Sequence, residues 1–177
     1  MSKFKDLCQI YNQSHSEMSE YLESCVQFAE TLMKGLEVYL DAPAKRITYR
    51  DRQGEEKSLR EALCLRDGVW HVDVALTMCP ESAYRLRAAE FARCYYPRQT
   101  VLLSFVIKKI TVDTFLVGLE NYPTQFTVDA KEQNSLTKLY EFVVNVLEAY
   151  YKHILQIILK QDESPRKVEF EHIENYL

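Results

Sequence analysis

The sequence predicts an α+β protein: an antiparallel β-meander of about four to five strands flanked by long N-terminal and C-terminal amphipathic helices. Three observations carry that expectation. In both outer stretches apolar residues recur every three, four or seven positions, the period of one helix face. In the middle they alternate, the period of a strand with one buried face. Only four Gly and five Pro interrupt 177 residues, which favours long regular elements over loops.

The first element runs from about Phe4 to Leu40, with Leu7, Tyr11, Met18, Leu22, Cys25, Ala29, Leu32, Leu36 and Tyr39 on its apolar stripe. Ser14 followed three residues later by Glu17 has the form of a capping box and predicts a break or kink near residues 13–16. Asp41-Ala42-Pro43 ends the helix, because proline disfavours helical backbone in the residue before it. RITYRD is then a strand and Gly54 a turn, and Ser58 with Glu61 opens a short helix in SLREALCL. After the Asp67-Gly68 turn, VWHVDVALTM sets Trp70, Val72, Val74, Leu76 and Met78 on one face and His71, Asp73 and Thr77 on the other.

Residues Pro80 to Tyr96 have room for a small helix, closed by Pro97. QTVLLSFVIKKI and TFLVGLE form a hairpin, with Phe115, Val117 and Leu119 facing the core, and QFTV is a short last strand. Asp129 with Glu132 caps a final helix expected from residue 129 to about 161, roughly 50 Å long at 1.5 Å per residue. Its near-heptad stripe is Leu136, Leu139, Phe142, Val143, Val146, Leu147, Tyr150, Ile154, Leu155 and Ile158. Two such helices outreach strands of about six residues, each some 20 Å long. Their protruding parts must pair with each other or with another chain. Residues 1–161 read as one α+β domain and residues 162–177 as an acidic C-terminal tail, with Phe170, Ile173 and Tyr176 available to dock.

The formal charge of −4 hides an asymmetry. Residues 45–98 carry eleven Lys and Arg against eight acids, a net of +3, while residues 1–44 carry three against seven, a net of −4. Nine of the ten arginines lie between Arg46 and Arg98. Arg46, Arg50 and Arg52 share one face of the first strand, whereas Arg85, Arg87, Arg93 and Arg98 spread around the expected helix and its end. These seven form the candidate binding set for a protein or a phosphate. Arginine interleaved with tyrosine suits protein interfaces, and ion pairing with the acidic helices is its plainest use. A pI near 5.6 and a local charge of only +3 make nucleic acid the weaker reading.

Catalytic signatures are missing. There is no GxxxxGK[ST], GxGxxG, HExxH or GxSxG motif. Glu55-Glu56-Lys57 matches the ExK fragment of metal nucleases, but it straddles a turn, where a solvated hairpin explains it. His71 and Asp73 could serve a metal or a general base, with Cys79, His153 or Glu120 as the third group. On the wet face of an antiparallel sheet the same pair arises by chance. Cys94 beside arginines could be a lowered-pKa thiol, although no base is named for it.

Five cysteines without a CxxC pair suggest reduced, mostly buried thiols, and MSKFKDLCQIYNQSHSE lacks a signal-peptide core. The longest apolar run, VLLSFVI, is far short of the roughly 18 residues a membrane span needs. The expectation is a cytoplasmic, non-enzymatic protein-interaction module without cofactor or metal: an adaptor, inhibitor, chaperone or small subunit of a larger complex. It would bind a protein partner, or a second copy of itself, through its long helices, without contacting membrane. A nucleic-acid-associated protein using the Arg-rich middle third is the alternative, and a small metal-dependent hydrolase around His71 and Asp73 the second.

Overall fold

The computed structural model describes residues 3–78 and 100–160, the side chains of Gln133 and residues 153–160 excepted. It is an α+β fold with one long helix at each end of an antiparallel sheet. Helix α1 spans Lys3–Tyr39 without a break. No break interrupts it at residues 13–16. Gln13 donates from Nε2 to Glu17 Oε1 at 3.0 Å, so Glu17 makes a link along the helix instead of a cap. The helix ends where expected. Asp41, at φ +46°, leaves the helical path two residues before Pro43.

Seven strands follow among the described residues, against the four to five expected: β1 (Ile47–Arg50), β2 (Glu56–Lys57), β3 (Cys64–Arg66), β4 (Val69–Thr77), β5 (Thr100–Lys109), β6 (Thr114–Leu119) and β7 (Gln125–Asp129). The two additions, β2 and β3, have two and three residues, too few for alternation to register in a sequence. Their neighbour is the short helix α2 (Leu59–Ala62), opened by the Ser58–Glu61 capping box as expected. The sheet order is β2-β1-β4-β5-β6-β7, and β3 pairs with the start of β4.

Register places Val72 opposite Phe105, Val74 opposite Leu103, Phe105 opposite Leu119, Ile107 opposite Val117 and Phe115 opposite Val128. All of these are buried, so one face of the sheet is apolar across four strands. Cys25, Phe28, Ala29, Leu32, Met33 and Leu36 of α1 belong to the same core. The Phe28 ring stacks on Phe115 at 3.8 Å between centroids. Burying an aliphatic or aromatic side chain contributes about 1.5–3 kcal/mol, so this face holds the fold together.

The last helix, α3 (Thr137–Lys160), is shorter than expected. Residues Gln133–Leu136 form a turn of 3₁₀ helix before it, and Asp129 accepts from the Lys131 amide at 2.8 Å, closing a local turn instead of capping. Leu139, Tyr140, Val143, Val146 and Leu147 face the core. Tyr140 locks α3 to α1: its hydroxyl donates to the Leu32 carbonyl at 2.9 Å, and its ring lies 5.3 Å from that of Tyr39. Gly35 makes this crossing possible, because a Cβ there would stand 2.2 Å from the Tyr140 oxygen. Farther along, Leu147 and Tyr151 share a cavity wall with Leu40 and Pro43. Helix α3 therefore proceeds past the C-terminal end of α1, away from its N-terminal half.

Candidate functional site

Helix α1 divides at Tyr21. Every residue from Lys3 to Glu20 is exposed, whereas Cys25 to Leu36 supply six core side chains. The exposed part carries large apolar residues: Phe4 is 74% exposed, Leu7 63%, Ile10 63%, Tyr11 67% and Met18 56%. At 100° per residue these five fall within about a third of the helix circumference. The stripe that packs on the sheet thus continues outward along an arm of 18 residues, about 27 Å long at 1.5 Å per residue. The arm has no cover among the described residues.

Charged contacts mark the point where the arm leaves the domain. Arg60 of α2 donates from Nε to Glu30 at 2.6 Å and from Nη2 to Glu23 at 3.2 Å, gripping two turns of α1. The Glu30 and Glu23 carboxylates hold its guanidinium pKa above the ordinary value. Below it, the Lys109 ammonium lies 5.4 Å over the Tyr21 ring and 5.7 Å over Phe115, and donates to the Ser24 hydroxyl. Burial, followed by Cys25, raises the Tyr21 phenol. Sequence patterning did not single out Arg60. The signal was available in Glu23 and Glu30, two acids seven apart on one helix face, which require a cation.

Of the arginines in the expected binding set, the described ones, Arg46, Arg50 and Arg52, have different neighbours. Arg46 lines a mostly apolar cavity of about 440 Å³ with Leu40, Pro43, Leu76, Leu147 and Tyr151. Burial, and then Tyr150, push the Tyr151 phenol up to about 12. Arg50 faces Asp73 across the β1–β4 ladder and pairs with Glu56 at 3.6 Å. Arg52 lies beyond β1 in the turn and donates to Cys64 Sγ at 2.7 Å. Arg85, Arg87, Arg93 and Arg98 lie outside the described residues, as do Cys79, Cys94 and the small helix expected between Pro80 and Tyr96.

The second face of the sheet carries His71 and Asp73, each beside a different neighbour. Asp73 accepts from Ser104 Oγ at 2.6 Å. His71 Nδ1 stands 3.9 Å from Glu120 Oε1, beyond hydrogen-bond reach. Among the described residues no group of three His, Cys, Asp or Glu is placed to hold a metal ion. Glu56 and Lys57, from the nuclease-like fragment, are exposed on β2, and Lys57 is 4.0 Å from Asp51. Asp51 in turn accepts from the Gln53 and Glu55 amides, both at 2.9 Å, which makes it a turn-building residue. Of the thiols expected to be mostly buried, Cys25 is buried, Cys64 half-buried and Cys8, on the arm, exposed. No described helix is long and apolar enough to cross a membrane.

No protein-family model, curated protein or solved structure matches this chain. Function is therefore argued from the surfaces of the described residues. The arm is the most unusual of them.

Proposed function

We propose that this chain is a non-enzymatic, cytoplasmic protein-interaction module, acting as an adaptor, inhibitor, chaperone or small subunit of a larger complex. The domain anchors α1, and the arm presents an apolar stripe to a protein. One observation carries this reading: Phe4, Leu7, Ile10, Tyr11 and Met18 are all more than half exposed on one side of a single helix. Soluble domains rarely leave contiguous apolar surface uncovered unless something binds it, and a helix stripe of this kind fits a groove or another helix. The cytoplasmic assignment draws support from the exposed free thiol of Cys8, which a reducing compartment keeps unpaired.

Helix propensity supports the same reading. Asn12, Ser14, His15 and Ser16 are mediocre helix formers in mid-arm, and all four are exposed. A partner that covers the stripe supplies the missing stabilisation. Affinity purification of the full chain from its native cell, compared with a Leu7→Glu/Met18→Glu variant, tests the reading. Stoichiometric protein bound to the wild type and absent from the variant is expected. Equal recovery with both, or binding only to nucleic acid in a steeply salt-dependent way, would remove it.

A further inference from the structure

We infer that the occupant of the arm is a second copy of this chain, whose arm lies antiparallel against it. This deepens the interaction reading and rests on it. Three features of the chain identify the occupant. The arm cannot be covered by α3 of its own chain. That helix crosses α1 at Leu32 and Gly35 and proceeds past Leu40 and Pro43, at the far end from the arm.

The stripe is also a coiled-coil seam. Phe4, Leu7, Tyr11, Met18, Cys25, Phe28 and Leu32 keep a seven-residue repeat, and only Ser14 breaks its apolar run within the arm. The natural complement of such a seam is another helix of the same kind. The inner half of the repeat is already used against the sheet, so only the outer part is open.

Charge then fixes both the identity of the partner and its direction. The first turns of the arm carry Lys3 and Lys5 against Asp6, while its second half carries Glu17 and Glu20 without a Lys or Arg. Lys3 and Glu17 are fourteen residues apart, two whole heptads, and border the stripe on the same edge. In a two-fold antiparallel pair that edge meets its own copy in reverse order. Lys3 of each chain then approaches Glu17 of the other, and the favourable pair occurs twice. A parallel pair places this edge against the opposite one, where Cys8 and His15 offer it no carboxylate.

Sedimentation of the purified full chain across a concentration series tests the inference. The expected result is a reversible dimer, with Leu7→Glu/Met18→Glu monomeric and its far-UV and thermal signatures otherwise retained, since both residues are exposed in the protomer. Lys3→Glu should weaken the dimer by about tenfold, as should Glu17→Lys, and the double change Lys3→Glu/Glu17→Lys should recover most of the loss. A wild type that stays monomeric overturns the inference, as does a dimer indifferent to the arm substitutions. A monomer whose arm still holds a different protein at one-to-one stoichiometry overturns self-pairing while leaving the interaction reading intact. Loss of both kinds of binding partner would sink the two together.

Discussion

The two halves of α1 are written in the same pattern and have opposite fates. From Cys25 to Leu36 the stripe is buried against β5 and β6; from Phe4 to Met18 it is open. The helix does not change its period at the boundary. Only the availability of a sheet to cover it changes, and Arg60 and Lys109 stand at that edge. Periodicity reports that a face requires cover. The supplier of that cover is a property of the whole fold and its neighbours.

The largest effect that separates the halves is in the core. Leu32→Ala removes a fully buried side chain and should lower unfolding free energy by about 2–5 kcal/mol, read from the urea midpoint. Leu7→Ala, by contrast, should move protomer stability by no more than about 0.5 kcal/mol, because it is 63% exposed. Equal losses at the two positions would mean that the arm is packed.

Next in size is Gly35→Ala. Alanine is the better helix former by about 1 kcal/mol, yet its methyl must displace the Tyr140 hydroxyl from the Leu32 carbonyl. Net destabilisation of about 1–3 kcal/mol is expected, since that carbonyl and the displaced buried hydroxyl both lose a partner. Adding Tyr140→Phe to the glycine change should cost less than the two losses summed, as thermal unfolding of the four proteins would reveal.

A smaller effect is expected at the boundary. Arg60→Ala releases Glu23 and Glu30, and its modest loss of stability should fade in high salt because the pairs are exposed. Faster amide exchange around Glu23 should accompany it. The smallest effect belongs to the α2 cap. Hydrogen bonds from Ser58 hold the Glu61 carboxyl below its ordinary value of 4.5. A carboxylate lowered on folding contributes stability that is complete above its unfolded pKa and lost as pH falls through the folded value. Glu61→Gln should therefore reduce the stability difference between neutral and acid pH, in a pH titration of the thermal midpoint.

Much of the sheet was legible in the sequence, for a physical reason. Strands β4, β5 and β6 have six to ten residues, enough for alternation to separate Val72 and Val74 from His71 and Asp73. The Ser58–Glu61 box was equally legible, because a cap is a local interaction. Ser14 and Glu17 have the same spacing but lie mid-helix, where Gln13 takes the carboxylate, and here the local signal misled. Asp129 and Glu132 misled similarly, since the chain forms a turn and a 3₁₀ segment before α3 begins. The surroundings of the described arginines were the least legible part. Their charges were countable, but whether Arg50 faces Glu56 or solvent depends on a β2 strand of two residues.

Hydrogen exchange along α1 at two protein concentrations tests most directly whether one helix serves two purposes. The account predicts that amides of Cys25–Leu36 stay protected at both. Amides of Leu7–Glu20 should be protected only at the high concentration and exchange rapidly on dilution. Protection of the whole helix independent of concentration would contradict it, and so would an arm that exchanges freely at every concentration.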